Sequence, residues 1–200
     1  MPVKILLASS NPGKLAEFRA LALGTQFPLE LELVPNFADV PAFDESSPTF
    51  AENSLGKANY YSQYSQELML ADDSGLVVPS LGGRPGVHSA RYAGENATSS
   101  QRIEKLLEEM RGKKGDEREA YFVCALSLVL KNRALCVITA KTDGQILESQ
   151  RGAGGFGYDP IFFFPPLSKT FAELSSSEKN QYSHRGRAFR RLLELLPGML

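Results

Sequence analysis

The stretch that decides the fold is EAYFVCALSLVLKNRALCVITAKTDGQIL, residues 119–147. Two long runs rich in apolar and β-branched residues flank the polar pair Asn132 and Arg133, a pattern typical of an antiparallel hairpin. Two adjacent long antiparallel strands argue against an all-parallel sheet. The stretch therefore predicts a mixed sheet.

On the N-terminal side of this hairpin, strand patterns alternate with helical ones. KILLAS (residues 4–9) predicts a strand, a helix follows to about Leu23, and LELELV (residues 29–34) predicts the next strand. Thr49, with Glu52 three residues on, has the pattern of a helix cap, and this second helix is expected to end near Ser65. The alternation predicts an α/β fold.

The remaining patterns complete this outline. ELMLADDSGLVV (residues 67–78) predicts a strand interrupted by an acidic turn. TSSQRIEKLLEEMR (residues 98–111) predicts a capped amphipathic helix, and a last helix is expected to start near Ser183. No repeat or linker divides the chain, so residues 1–200 are interpreted as a single domain.

Composition excludes several classes of protein. The 200 residues carry 22 basic and 23 acidic side chains, a formal net charge of -1. A global positive charge for binding duplex nucleic acid or an anionic membrane is therefore absent. No apolar run approaches a membrane span and no targeting pattern is visible, so we expect a cytoplasmic protein. Cys124 and Cys136 are expected to be buried reduced thiols.

The first strand-to-helix turn resembles a phosphate loop without matching it. In the pattern G-x-x-x-x-G-K-[ST], Ala8 replaces the first Gly and Leu15 replaces the hydroxyl residue. A helix N-terminus and the charge of Lys14 remain as anion-binding features. Small residues that permit close backbone approach are Ser9, Ser10 and Gly13. An ordinary turn with a solvated lysine is the alternative.

ADDSGL (residues 71–76) places two carboxylates at the end of an apolar strand. Mg²⁺ takes one or two protein carboxylates and completes its octahedron with water and phosphate oxygens, so Asp72 and Asp73 beside a phosphate loop would form a metal–triphosphate site. Asp44 and Glu45 could supply a further ligand. The alternatives are an ordinary Asp-Ser-Gly turn and a solvated acidic loop.

RGAGGFGYDP (residues 151–160) contains the letters of the dinucleotide fingerprint at Gly152, Gly154 and Gly157. We reject that interpretation because an aromatic, Pro-rich segment follows instead of a helix. Glycines on both sides of Phe156 would leave its ring free to stack on a nucleobase. The alternative is a Gly-rich turn with Phe156 in the core.

EKNQYSHRGRAF (residues 178–189) places Lys179, His184 and Arg185 close together. Five residues along a straight helix rotate by about 140°, so Lys179 and His184 share a face only if the helix breaks between them. Ser183 could cap a new helix at such a break. A basic, solvated helix entry is the alternative.

Taken together, these segments resemble the inosine triphosphate pyrophosphatase family, enzymes that act on non-standard purine nucleoside triphosphates. The resemblance covers almost the whole chain. The segments that carry it are SSNPGK (9–14), TFAENSLGKA (49–58), ADDSGLVVPSLGGRPGVHSARYAG (71–94), GAGGFGYDPIF (152–162) and KTFAELSSSEKNQYSHRGRA (169–188).

The resemblance implies an α/β fold with an elongated mixed β-sheet and helices forming two lobes. It implies Mg²⁺-dependent hydrolysis of ITP, dITP, XTP or dXTP between the α and β phosphates, which gives the monophosphate and pyrophosphate. It also implies a homodimer. Neither nucleic acid nor membrane is an expected partner.

Site residues follow from the same resemblance. Asp73 is the implied metal ligand and proton acceptor. We take Glu45 as the second ligand, with Asp44 and Asp72 as the alternatives. Ser9 to Lys14 would bind phosphate, Phe156 to Asp159 would border the base, and His184 with Arg185 would read the base edge. The implied substrate-binding residues are Ser9, Ser10, Asn11, Pro12, Gly13, Lys14, Ser74, Phe156, Gly157, Tyr158, Asp159, Lys179, His184 and Arg185. Ser10 departs from the Gly that is common in the family at this position.

Two other functions stay open at this point. A related pyrophosphatase that prefers modified pyrimidine nucleotides would use the same phosphate and metal groups. A non-catalytic nucleotide-binding module would keep Lys14 and Phe156 but would not need Asp73. Mg²⁺-dependent product formation from a panel of nucleotides separates these alternatives.

Overall fold

The computed structural model describes residues 2–9, 11–23, 28–35 and 37–199. The strands are β1 (Val3–Leu7), β2 (Leu29–Leu33), β3 (Leu68–Val77), β4 (Glu119–Leu130), β5 (Arg133–Ile146), β6 (Phe162–Phe164) and β7 (Lys169–Thr170). The α-helices are α1 (Pro12–Ala22), α2 (Phe50–Ser62), α3 (Ser99–Glu109), α4 (Ser176–Tyr182) and α5 (His184–Leu195).

The strands form one mixed sheet in the order β2-β1-β3-β4-β5-β6-β7. β1 pairs in parallel with β2 and β3, whereas β6 pairs antiparallel with both β5 and β7. Lys131 and Asn132 join β4 to β5 with φ angles of 49° and 62°, the left-handed conformation that a two-residue hairpin turn requires. The mixed α/β sheet is confirmed, and the turn lies one residue earlier than predicted.

The predicted acidic turn within residues 67–78 is wrong. β3 runs without interruption from Leu68 to Val77 through both aspartates. Every residue from Leu68 to Asp73 is buried, and β3 lies between β1 and β4 in the sheet. A break at Asp72 and Asp73 would leave buried backbone groups without their ladder partners, so the continuous strand is favoured.

Two compact units divide the chain. The first comprises Met1–Asp73, Cys124–Ala140 and Arg185–Leu200. Its core contains Ile5 and Leu7 of β1, and the rings of Phe18 and Phe189 pack with their centroids 4.9 Å apart. The single domain interpreted over residues 1–200 stays a prediction.

The second unit comprises Ser74–Val123 and Lys141–His184. Aromatic rings form its core: the ring of Phe122 lies 4.5 Å from that of Phe162 and 5.8 Å from that of Phe171. Gly144 allows this packing, because a Cβ atom there would lie 2.6 Å from the Phe162 ring.

Helix termini follow the local sequence signals. The Thr49 side chain caps α2 by accepting from the N–H of Glu52, and Thr98 and Gln101 form a capping box at α3. Helix α2 ends at Ser62, three residues before the predicted end. The predicted break near Ser183 is confirmed, because Ser183 is extended (φ -68°, ψ 153°) between α4 and α5.

Both cysteines are free thiols, as expected, with Cys124 buried and Cys136 half-buried. Within the described ranges, no helix combines the length and apolar character needed to cross a bilayer.

Candidate active site

The turn between β1 and α1 is organised by Asn11. Its side-chain oxygen accepts the N–H groups of Gly13 at 2.9 Å and Lys14 at 3.4 Å, which caps α1. A Cβ atom on Gly13 would lie 3.0 Å from that oxygen, so glycine leaves room for the cap. Ser9 accepts the N–H of Asn11 through its hydroxyl oxygen at 3.1 Å. The predicted phosphate-binding role of Ser10 lies outside the described residues.

Lys14 is not the solvated lysine of the alternative interpretation. Its Nζ atom lies 2.9 Å from each carboxylate oxygen of Asp72, which is fully buried in β3. Burial alone would raise the pKa of Asp72, but the charges of Lys14 and Arg185 outweigh burial and lower it well below its usual range. Asp72 is therefore ionised and holds Lys14 beside β3.

Arg185 belongs to the same ion-pair network in the first unit. Its Nη1 atom donates to Glu17, and its Nε atom lies 3.7 Å from Asp72. Only 4% of the side chain is exposed. Burial opposes the charged form, yet Glu17 and Asp72 raise the pKa of Arg185. The structure thus places this guanidinium on two carboxylates, and the base-edge role implied by the resemblance stays a prediction.

Asp73 has a different environment from its neighbour. It is buried, and its Oδ2 atom accepts a hydrogen bond from Asn53 Nδ2 at 3.1 Å. Burial and the negative charge of Glu45 raise the pKa of Asp73 to about 6, while Lys57 and Asn53 oppose the increase. A buried carboxylate with a perturbed pKa beside charged groups is a candidate for chemistry.

Glu45 forms an ion pair with Lys57 of α2. Burial lowers the pKa of Lys57, but Asp72, Glu45 and Asp73 together raise it, so the ammonium stays charged. Asp44, the neighbouring loop carboxylate, is exposed. Glu45 is therefore the member of the acidic pair that lies within electrostatic reach of Asp73.

Sequence reasoning missed Lys57 and Asn53 as site residues. Both lie on α2, four residues apart, so they share a helix face with the buried Tyr61. A polar pair at this spacing on an otherwise buried face was the available signal. Asn53 is fully buried and bonds to Asp73, and Lys57 pairs with Glu45.

The carboxylates fit a small hard cation. Throughout the part of the chain that the structure describes, no group of three or more His, Cys, Asp or Glu side chains could hold a metal ion. Asp73 and Glu45 supply two carboxylates whose mutual repulsion is visible in the raised pKa of Asp73. Mg²⁺ needs only one or two protein carboxylates when phosphate and water complete its octahedron, so this donor set suits it.

Phe156, in the second unit, is exposed over 42% of its surface, so its alternative placement in the core is wrong. Asp159 is buried, and its Oδ2 atom accepts both Lys179 Nζ at 2.7 Å and the N–H of Phe156 at 2.8 Å. The Lys179 ammonium lies 4.5 Å from the centre of the Phe156 ring. These contacts order an exposed aromatic ring, the property that base stacking requires.

The glycines around Phe156 serve close packing. A Cβ atom on Gly152 or Gly154 would lie 2.6 or 2.9 Å from backbone atoms of Ala172. No helix begins here, since the segment leads into a short 3-10 turn at Asp159–Ile161, so the rejection of the dinucleotide fingerprint is confirmed.

Unlike Phe156, the other residues that the resemblance implies around the base are buried or half-buried. Tyr158 is buried, and its hydroxyl donates to the carbonyl of Ser89 at 3.0 Å. The His184 ring stacks on Phe122 with centroids 4.8 Å apart. Lys179, His184 and Arg185 are all more than 90% buried, so the alternative of a solvated basic helix entry is wrong. Ser74 and Gly157 are half-buried.

Gly155 provides a direct test of this loop. Its φ angle is +70°, and an added Cβ atom would lie 2.1 Å from Asp159 Oδ2. We expect Gly155→Ala to displace the Asp159 carboxylate and misplace Phe156, which raises the KM for nucleotide about tenfold or more while kcat changes little. Gly112→Ala, also at positive φ but with open space around its Cβ position and outside the implied substrate-binding residues, is the steric control. Equal KM values for the two variants would contradict this explanation.

Comparison with known proteins supports the resemblance. A model of the Ham1 family matches residues 5–195. A dITP/XTP pyrophosphatase from Geobacillus kaustophilus is 47% identical over 191 residues, which cover 96% of this chain and 93% of that protein. A dITP/XTP pyrophosphatase from Clostridium perfringens is 44% identical over 203 residues, with 98% of each protein covered.

Solved structures of Ham1 proteins also match the fold of this chain. A HAM1 protein from Coxiella burnetii superposes with a TM-score of 0.87 at 38% identity, covering 98% of this chain and 99% of that one. The Ham1 protein of Staphylococcus aureus superposes with a TM-score of 0.86 at 36% identity, covering 98% and 100%. The resemblance inferred from the motifs is confirmed: this chain belongs to the Ham1 family.

Proposed function

We propose that this protein is a nucleoside-triphosphate pyrophosphatase that hydrolyses non-standard purine nucleotides, such as dITP and XTP, to the monophosphate and pyrophosphate. The names of the relatives, dITP/XTP pyrophosphatase at 47% and 44% identity, supply the substrate class. The observation that carries the chemistry is the environment of Asp73, a buried carboxylate with Glu45 and Lys57 within electrostatic reach.

The charges of the first unit suit hydrolysis of a triphosphate. Lys14 and Lys57 supply positive charge for phosphate oxygens, and each is already held by a carboxylate, so little ordering is needed when a nucleotide binds. Asp73, with its pKa raised to about 6, is suited to accept the proton of an attacking water molecule near neutral pH. No cysteine or serine nucleophile is required.

Mg²⁺ is part of the proposal. Asp73 and Glu45 would hold it, and when bound it would neutralise charge on the phosphates and polarise the phosphoryl group under attack. Phe156 is the residue that the resemblance implies for stacking on the base. Its ring is exposed, and Asp159 and Lys179 hold it in place.

The decisive experiment is product analysis with a nucleotide panel, with and without Mg²⁺. We expect equal amounts of monophosphate and pyrophosphate from ITP, dITP and XTP, and no turnover without a divalent cation. Stepwise release of orthophosphate would indicate a general nucleotidase. Binding without any product would indicate a nucleotide-binding module, and a preference for modified pyrimidines would indicate the related pyrophosphatase.

Base preference is a separate expectation. Hypoxanthine and xanthine carry an acceptor oxygen at position 6, whereas adenine carries a donor amino group there. A base edge lined by the donors of His184 and Arg185, as the resemblance implies, would face adenine with unpaired donors. Each unpaired buried group costs roughly 1–3 kcal/mol, so kcat/KM for ATP should be about ten- to a hundredfold below that for ITP. Equal kcat/KM values for ATP and ITP would contradict this base reading.

A homodimer in the cytoplasm completes the proposal. The homodimer rests on the resemblance, and the cytoplasmic location is the expectation from the sequence patterns. Sedimentation equilibrium of the purified protein tests the dimer: we expect about twice the chain mass of 21.9 kDa, and a monomer at all concentrations would refute it.

A further inference from the structure

We propose that Asn53 is a positioning residue that fixes the Asp73 carboxylate and the loop that carries Glu45, the two groups that would bind a divalent cation. This inference rests on the proposed function and extends it to a residue that does not itself touch substrate. Asn53 is fully buried on α2. Its amide connects β3 to the acidic loop, defined as residues 43–47, which carries Glu45.

All of the amide's hydrogen-bonding groups are used in this connection. Its Oδ1 atom accepts the N–H of Ser47 at 2.9 Å. Its Nδ2 atom donates to the carbonyl of Ser47 at 3.2 Å and to Asp73 Oδ2 at 3.1 Å. One side chain thus fixes the end of the acidic loop and the orientation of the Asp73 carboxylate.

Only one of the two orientations of the Asn53 amide satisfies its hydrogen bonds. An amide NH₂ group has two donors, and both of its partners here are acceptors, a carbonyl and a carboxylate. Rotation by 180° would direct the amide oxygen at these acceptors and the NH₂ group at the N–H of Ser47. Three favourable contacts would become repulsive, so Asn53 resists rotation and the loop end is held in register with β3.

Other contacts hold the start of the loop. The N–H of Phe43 donates to Tyr61 Oη at 3.3 Å, and the Phe43 ring packs on α2 at Gly56, where a Cβ atom would lie 2.6 Å from the ring. Glu45 lies between this anchor and Ser47, and its carboxylate pairs with Lys57 of the same helix. The acidic loop is therefore held at both ends, and its Asn53 end is tied directly to Asp73.

The expected effect is on metal affinity. Two carboxylates that bind one cation repel each other when the cation is absent, so contacts that fix their positions favour binding; Asn53 supplies such contacts to Asp73 and to Ser47 of the acidic loop. Hydrogen bonds that orient ligating carboxylates typically contribute 10- to 100-fold to metal affinity. Loss of the Asn53 amide should let the loop end and the Asp73 carboxylate move independently, which weakens Mg²⁺ binding.

The test compares Asn53→Ala and Asn53→Leu with Ser54→Ala. Leucine keeps the branched shape of asparagine, with somewhat larger volume, and has no donor or acceptor. Ser54 is the matched control, since it is the next residue of α2, is fully buried and bonds to the carbonyl of Ala71 at 3.1 Å and to Ser127 at 2.9 Å. It contacts neither Ser47 nor Asp73 through these bonds, so it reports the cost of losing buried hydrogen bonds alone.

Two readouts are needed. Titration calorimetry with Mg²⁺ alone should show about 10- to 100-fold weaker binding for both Asn53 variants and no change for Ser54→Ala. The Mg²⁺ concentration for half-maximal pyrophosphate release should rise by the same factor, with the KM for nucleotide unchanged at saturating Mg²⁺. The calorimetric comparison does not depend on turnover, so failure of the proposed function leaves it valid.

Four results would overturn the proposal. The first is wild-type Mg²⁺ affinity in a folded Asn53 variant. The second is a Ser54→Ala protein that loses affinity as much as the Asn53 variants do, because the effect would then be general loss of packing. The third is failure of both Asn53 variants to fold, since Asn53 would then be needed for the fold itself. Absence of Mg²⁺ binding by the wild-type protein would refute it too.

Discussion

Asp73→Asn should abolish nearly all turnover while the protein stays folded. We expect kcat for pyrophosphate release to fall by about 10²- to 10⁴-fold, because the substitution removes the charge that would hold Mg²⁺ and the proton acceptor for water. The shape of the side chain is preserved, and its oxygen can still accept the hydrogen bond from Asn53.

We also expect the Asp73→Asn protein to be at least as stable as the wild type. Burial and Glu45 raise the pKa of Asp73 to about 6. At neutral pH the ionised carboxylate therefore lowers the stability of the folded protein relative to the unfolded chain. The neutral amide should therefore unfold at the same denaturant concentration as the wild type or a higher one. Asp143→Asn, at an exposed carboxylate of the second unit, is the control and should keep full activity. A folded Asp73→Asn protein with wild-type kcat would refute the assignment of Asp73.

Asp72→Asn, in contrast to Asp73→Asn, should greatly reduce the stability of the protein. The Asp72 carboxylate is fully buried and compensates Lys14 and Arg185, whose side chains are 19% and 4% exposed. Removing one member of a buried charge network leaves the other charges uncompensated, which typically costs about 3–5 kcal/mol. This is a large part of the roughly 5–15 kcal/mol that stabilises an ordinary domain.

Denaturant unfolding measures this loss directly. Glu194→Gln is the matched control, because its ion pair with Arg191 lies at the surface with both side chains about 60% exposed, and we expect no measurable shift of its unfolding midpoint. At a temperature where Asp72→Asn is folded, it should retain more turnover than Asp73→Asn. Equal unfolding midpoints for Asp72→Asn and Glu194→Gln would refute the role given to this network.

These two neighbouring aspartates show where sequence reasoning was insufficient. The motif at residues 71–76 predicts metal-site groups at both carboxylates and places them in a turn, but they lie in a continuous strand. In a continuous strand, successive side chains point to opposite faces, so neighbours meet different partners. Asp72 meets Lys14, 58 residues away in sequence, and Asp73 meets Asn53.

The sequence by itself determined the order of helices and strands as far as β5, the mixed sheet, the start of the last helix near Ser183 and the family, since these depend on periodicity, caps and motifs that are local along the chain. Only the tertiary structure decided that β3 is continuous, that the short strands β6 and β7 complete the sheet, that Arg185 lies on Glu17 and Asp72, and that Asn53 and Lys57 contact Asp73 and Glu45. Those facts depend on which side chains meet across long sequence separations, and on how burial changes the ionisation of the groups that meet. Neither the contacts nor the burial can be deduced from the spacing of residues along the chain.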